Sequence, residues 1–352
     1  MLTLTILAYI LGLQPLHEAG YKGQGMTIAV IDCGFYNAND SRIFNQERII
    51  GVYDLLKQDS VNRPDIFSNS MDNHGACCLS TMLYQSEEFT GTAPEANYIL
   101  IRTEDLLYEY RGELDRLERG MRLADKLGAD IITISLGYSS FDNAAENYTY
   151  EDMNGKVSVS KTATEMARKG RLVCVAAGNE GNKDWKYIDL PADADSILTV
   201  GACSETRDPA SFTSYGPTAD GRQKPEVAAW GQGTRIADLN GGGVTTGSGT
   251  SFATPEIAGM AACLWQALPD KTAMEIRDLI IKSAHQYSSP DDRLGYGIPD
   301  AGKAWLAGLT STSTSNTGQK ERPTIKILIN GTLYIIRGGE RYLPTGVKAR
   351  SE

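Results

Sequence analysis

The chain has 352 residues, of which 41% are apolar and 22% charged, enough to bury a large core and too apolar for a disordered chain. Its 34 basic and 44 acidic residues leave a formal net charge of −10, which disfavours nucleic acid and anionic membrane surfaces as partners. Six cysteines, at 33, 77, 78, 174, 203 and 263, are too few for a disulfide framework, form no CxxC pair that suggests zinc, and do not fix the compartment.

Residues 1–13, MLTLTILAYILGL, are apolar and too short to span a bilayer. They fit the core of a secretion signal, a first element of the fold, or an extension from a misplaced start. A glycine-rich turn at 20–25 then leads into Met26–Ile31, a continuous apolar run that reads as a strand buried on both faces and ended by Asp32. The glycines precede the strand, so a dinucleotide-binding fingerprint is excluded. A carboxylate at the C-terminal end of such a strand faces either a ligand crevice or solvent.

Residues 36–72 read as loops around a short strand at Ile49–Tyr53. His74 opens an apolar helical segment that runs to Leu83. It is one of three histidines; His17 and His285 fall on a helix surface and a loop, so imidazole chemistry points to His74. Tyr98–Arg102, Ile131–Ile134, Leu172–Ala177 and Ile197–Val200 read as further strands. Leu114–Leu127 and Thr162–Arg168 read as helices between them. Alternation of strand and helix predicts an α/β fold with a mainly parallel sheet between two helical layers. Residues 141–156 read as a polar insertion, 211–225 as turns, and Ile276–Ala284 as the last helix of the domain.

Gly247–Gly259 begins as small, turn-forming residues and becomes an apolar helical run through Leu268. Ser251 stands at that junction, as a simple helix cap or as a hydroxyl exposed in the positive field of a helix N-terminus. Asp32, the Ser135-Leu136-Gly137 turn and Asn179 end strands, while His74 and Ser251 open helices. Parallel strands gather their C-terminal ends on one edge, so these groups can converge there. A serine needs an imidazole to take its proton, the imidazole needs a carboxylate, and the oxyanion needs donors.

Asp32, His74 and Ser251 follow one of the chain orders of such triads. The segments IAVIDCG, NHGACCLSTM, AAGNEG and GTSFATPEIAG resemble the four motifs of the subtilisin-like serine peptidases, and GTAPEA, ISLGY and ADGRQKPEVAAWG resemble other family segments. The resemblance runs from about Gly20 to Leu309. It implies a subtilisin-like three-layer fold in which Asp32 orients His74, His74 is the general acid and base, and Ser251 is the nucleophile. It further implies an oxyanion hole of Asn179 and the Ser251 N–H. Ser135, Leu136 and Gly137 would pair with an extended peptide and, with Ala176, Ala177 and Gly178, wall the pocket for the residue before the cut. Gly and Ala there suggest an apolar side chain.

Ala76 stands where the family usually has Thr. Cys78 matches the thiol-sensitive branch of the family in position and also fits a small buried residue. No cofactor is required. Calcium is common in the family, but the Asn37, Asn39 and Asp40 cluster is too weak to assign a metal site. No inhibitory pro-region precedes the domain in this sequence, so maturation differs or the encoded start is incomplete. The expected organisation is an N-terminal apolar segment at 1–19 (a signal remnant or part of the fold), a peptidase domain at 20–309, a Ser/Thr-rich linker at 310–323 and a small β-unit at 324–352. Asn330-Gly331 between apolar residues predicts a hairpin in that unit, which resembles the C-terminal sorting tags of secreted Bacteroidetes proteins. A monomeric, secreted or cell-surface serine endopeptidase acting on proteins or peptides is the leading expectation. The alternatives are a transpeptidase or macrocyclase with the same triad, and a non-catalytic peptide-binding protein.

Overall fold

The computed structural model describes residues 10–56, 65–104, 107–310, 325–329, 332–337 and 340–348. In chain order its principal elements are α1 (Gln14–Glu18), β1 (Thr27–Asp32), β2 (Ile49–Asp54), α2 (His74–Leu83), β3 (Asn97–Arg102), α3 (Gly112–Lys126), β4 (Ile131–Ile134), α4 (Ser158–Arg168), β5 (Leu172–Ala176), β6 (Leu198–Cys203), β7 (Val227–Trp230), β8 (Gln232–Ala237), β9 (Val244–Ser248), α5 (Thr250–Ala267), α6 (Ala273–Lys282), α7 (Ala301–Thr310), β10 (Ile325–Ile329), β11 (Thr332–Arg337) and β12 (Glu340–Tyr342).

Seven strands form one parallel sheet in the order β2-β3-β1-β4-β5-β6-β7. The period-2 geometry of a strand sends successive side chains to opposite faces. Ile28 and Val30 therefore enter one core with α1, α2, α5, α6 and α7, while Ala29 and Ile31 enter the other with α3 and α4. This is the three-layer arrangement that the alternating sequence predicts. Each buried Ile, Leu or Val side chain contributes about 1.5–3 kcal/mol. Both faces of β1 are covered, so this continuous apolar run becomes an inner strand, flanked by β3 and β4.

Several elements differ from expectation. The helix expected at Ile276–Ala284 lies at Ala273–Lys282, and it is not the last: α7 follows it. α7 escapes a reading by periodicity because Ala and Gly fill much of it, and small residues give a weak apolar stripe. The hairpin of β8 and β9 is also new, because its Gly- and Thr-rich strands lack clear alternation. His17 is not a surface group: its Nε2 lies 3.0 Å from the Thr92 carbonyl and its ring meets Cys263, with Nε2 3.8 Å from Sγ. Burial lowers its pKa.

From Ile10 onward the N-terminal apolar segment is built into the core. Ile10, Leu11, Leu13 and Leu16 are buried, and the carbonyls of Leu11 and Gly12 accept from the N–H groups of Ala301 and Gly302 at the start of α7. Residues 1–9 lie outside the described residues. So does nearly all of the linker at 310–323, although Thr310 itself closes α7. In the C-terminal unit β10 and β11 pair antiparallel, Ile329 opposite Thr332, and β12 adds to β11. Tyr334 packs against the main core.

Candidate active site

Asp32 ends β1 and is fully buried. Its Oδ1 accepts from the Cys33 N–H at 2.8 Å and lies 2.7 Å from His74 Nδ1. A carboxylate accepts, so this contact places the imidazole proton on Nδ1 and leaves Nε2 to act as a base. His74 is the first residue of α2. The helix can begin this close to β1 because residue 75 is glycine: a Cβ there would sit 2.5 Å from the Gly34 carbonyl and 2.7 Å from Asp32 Cβ. Burial works against the imidazolium, but the Asp32 charge and hydrogen bond outweigh it, and His74 is held well above the ordinary histidine value.

Ser251 is the second residue of α5 and is almost fully buried. The β8–β9 hairpin delivers the chain to it, and Gly249 N–H donates to the Gly231 carbonyl at 2.7 Å to fix the approach. Ser251 and Ser135 are bonded reciprocally. Ser135 Oγ donates to the Ser251 carbonyl at 2.8 Å, and Ser251 Oγ donates to the Ser135 carbonyl at 3.4 Å. The next residue, Phe252, brings its ring within 6.0 Å of the His74 ring, so the starts of α2 and α5 lie side by side. Among the described residues no hydrogen bond joins Ser251 Oγ to His74. Catalytic contacts of this kind are commonly loose before substrate binds.

Asn179 follows β5. Its Oδ1 accepts from the Thr250 N–H at 2.9 Å and from the Thr250 hydroxyl at 3.1 Å. Those bonds settle the orientation of the amide. Both Nδ2 and the Ser251 N–H lie near one point: an ideal Cβ on Gly249 would be 3.7 Å from each nitrogen. The Ser251 N–H belongs to the first turn of a helix, where such groups have no intrahelical partner. Two donors thus flank one position beside the serine.

The register Ile134↔Val175 sets β4 and β5 side by side, so Ser135-Leu136-Gly137 and Ala176-Ala177-Gly178 leave the sheet as neighbours. The segment 189–190 stitches them together. Asp189 N–H donates to the Ala177 carbonyl at 3.1 Å, and Tyr138 and Leu190 exchange two bonds of 3.0 Å. The structure therefore brings together Asp32, His74, Ser251, Asn179 and both expected walls.

Sequence reasoning missed Asp189. It is 5% exposed, its Oδ1 has no hydrogen-bond partner, and burial pushes its carboxyl up to about 7. Its signal was a single acid inside the run Ile188-Asp189-Leu190. Cys78 is fully buried against the same centre, its Sγ donating to the Ser251 carbonyl at 3.2 Å and lying 3.9 Å from His74 Nδ1. Of the weak metal cluster, Asp40 is held by Arg42 and Asn37 donates to the Leu239 carbonyl at 3.0 Å. A second acidic group, Glu104, Glu109 and Glu113, has carboxylate oxygens within 4.8 Å of one another. Tyr138 donates to Glu104 and Arg116 to Glu113. Among the described residues no helix is long and apolar enough to cross a membrane.

Comparison with known proteins gives a family and a fold. A family model described as the subtilase family matches residues 23–297. Serine protease AprX of Bacillus subtilis (strain 168) is 30% identical over 330 aligned positions, covering 84% of this chain and 67% of the relative. Thermitase of Thermoactinomyces vulgaris is 27% identical over 286 positions, covering 80% of this chain and 89% of the relative. Among solved structures, MycP1 from Mycobacterium smegmatis superposes with a TM-score of 0.66 at 21% identity, covering 93% of this chain and 89% of that one, a likeness of fold.

Proposed function

The chain belongs to the subtilase family of serine-type peptidases, and from that premise we propose that it is a serine endopeptidase working through Asp32, His74 and Ser251. The observation that carries the reading is the 2.7 Å contact of Asp32 with His74 Nδ1, directed at a helix start that presents Ser251. Ser251 Oγ attacks the scissile carbonyl while its proton passes to His74 Nε2. Asp32 stabilises the resulting imidazolium. The oxyanion accepts from the Ser251 N–H and Asn179 Nδ2. His74 then gives its proton to the leaving amine, an acyl-enzyme remains, and water repeats the sequence in reverse. Every step uses groups of this chain and water.

An extended substrate adds as a strand along Ser135, Leu136 and Gly137, with the side chain before the cut between that segment and Ala176, Ala177 and Gly178. A secreted or cell-surface location fits the C-terminal three-stranded unit as an export tag. The presence of Asp32, His74, Asn179 and Ser251 together favours an active enzyme over a peptide-binding relative that has lost catalysis.

The test is digestion of an unfolded protein such as denatured casein, with product masses read by mass spectrometry. Internal cuts that each add one water, absent with Ser251→Ala, are the expected result. Ligated or cyclised products lacking that water would replace hydrolysis with transpeptidation. No cleavage by folded wild-type protein would remove the peptidase reading.

A further inference from the structure

The neighbouring strands β2, β3 and β1 end level with one another. Their last residues, Asp54, Arg102 and Asp32, are register partners, with Arg102 in the middle. Asp32 turns to His74, and Arg102 turns to two other carboxylates. Arg102 is buried at 1% exposure. Its Nε and Nη2 donate as a fork to Asp54, at 3.1 and 2.5 Å, while its Nη1 donates to Asp72 Oδ2 at 3.2 Å. A planar guanidinium holds both partners in fixed directions, which the point charge of a lysine does not.

Asp72 stands two residues before His74. Asn73, at the cap of α2, makes no side-chain capping bond, so the place of the helix start depends on the segment that leads to it. That segment is tied at its backbone to the stretch after β1. The N–H groups of Phe35, Asn37 and Tyr36 donate to the carbonyls of Ile66, Phe67 and Asp72 at 3.0, 3.1 and 3.1 Å. Asp72 also packs on Gly34 so closely that a Cβ there would come within 2.4 Å of its own. Its carboxylate is anchored on a different strand, at Arg102. The Asp32–His74 contact is thus held from two sides: β1 carries the carboxylate, and β3 steadies the approach to the imidazole.

We propose that Arg102 is a positioning residue for the peptidase reaction, holding Asp72 so that His74 opens α2 at hydrogen-bond distance from Asp32. The inference rests on the peptidase reading above. Arg102 takes no part in bond making or breaking and acts through Asp72. The titratable groups that act on His74 itself are Asp32 and Cys33 at the end of β1, Cys78 on α2 and Glu104 after β3. Removing a nearby positive charge would by itself raise the His74 pKa, whereas a loosened Asp32 contact lowers it. The direction of the shift therefore separates positioning from simple electrostatics.

The test uses the full chain and a peptide p-nitroanilide with leucine before the cut, with folding followed by circular dichroism. In Arg102→Met kcat should fall by about 100-fold, the effect of a displacement near 1 Å, with KM little changed. The rising limb of kcat/KM against pH should move to lower pH, and Arg102→Lys should regain part of the loss. Asp72→Ala should cost a similar factor, and Arg102→Met/Asp72→Ala should be no worse than either alone, because the pair acts as a unit. Asp72→Asn keeps the shape and an acceptor oxygen, and a lowered kcat at wild-type KM in that variant decides the matter if the arginine variants do not fold. Wild-type kcat with an unmoved limb in folded variants would make Arg102 a structural ion pair only and overturn the inference. A limb displaced to higher pH, or additive losses in the double variant, would do the same. In each of these cases turnover by wild type that is absent in Ser251→Ala leaves the peptidase reading standing. No turnover by wild type, together with Ser251 unlabelled by an uncharged fluorophosphonate, would remove both.

Discussion

Pro255 stands four residues after Ser251 in α5 and has no N–H to give its carbonyl. The missing intrahelical bond is made from outside the helix, by Ser135 Oγ at 2.8 Å and Cys78 Sγ at 3.2 Å. One proline thereby links the nucleophile's backbone to the substrate-binding turn and to the helix that carries His74. Removing both donors leaves a buried carbonyl unpaired, at a cost of about 1–3 kcal/mol. The double variant Ser135→Ala/Cys78→Ala should lose more stability in urea unfolding than the two single variants summed. Adding Pro255→Ala should recover part of the loss by supplying an N–H. Strict additivity, with no recovery, would show that the carbonyl finds another donor.

Cys78 is buried, and burial raises its thiol pKa. Its thiol should therefore react slowly with mercurials at neutral pH and faster as pH rises. Modification would push mercury between His74 and Ser251, so inhibition is expected in wild type and lost in Cys78→Ser. Equal inhibition of that variant would move the sensitive thiol elsewhere, with the partly exposed Cys77 first in line.

Asp32 holds the His74 pKa up while burial pulls it down. The rising limb of kcat/KM against pH should accordingly lie above 6.5 in wild type. Asp32→Asn removes the largest influence that opposes burial, so the limb should move to lower pH while kcat falls by about 10⁴. The folded-state shift also has a stability consequence. The pairing contributes fully below the unfolded histidine value near 6.5 and is lost as pH rises through the folded value. Steady-state pH profiles of the two proteins check the limb, and their thermal unfolding as a function of pH checks the stability. An unmoved limb would remove Asp32 as the partner that sets His74.

Asp189 has the opposite sign. Its carboxyl is raised from 3.8 to about 7, so the folded chain holds a proton that the unfolded chain releases. Stability from this group is highest below about pH 4, falls as pH rises towards 7, and stays low above it. The full loss is on the order of 4 kcal/mol. Asp189→Asn should thus melt higher than wild type at pH 8 and near it at pH 4. A constant offset across that range would mean that the carboxyl titrates normally in the fold.

The sequence exposes the centre of this site because the centre is local. Asp32 follows an uninterrupted apolar strand, His74 is one of three histidines, and Ser251 interrupts a glycine-rich turn before a helix. The supports are not local. Ser135 is 116 residues from Ser251, and Cys78 is 173, so nothing in the spacing connects them to its carbonyl. Glu256 lies in the same motif as Ser251, and nothing in the spacing shows where it points. It is fully buried, accepting from the Trp230 N–H and the Thr234 hydroxyl to bind α5 to β7 and β8. Asp189 escaped for the same reason: it lies outside every motif, and only the pairing of 189–190 with Ala177 and Tyr138 sets it beside the segments that follow β4 and β5.

Ser251 as the activated nucleophile is tested most directly by an uncharged fluorophosphonate. Wild-type protein, Ser251→Ala and His74→Ala are incubated with the probe and mapped by peptide mass spectrometry. The expected result is one adduct on Ser251 in wild type, none in Ser251→Ala and a strongly slowed reaction in His74→Ala. Folded wild-type protein that leaves Ser251 unlabelled, or labelling as fast without His74 as with it, would contradict the assignment.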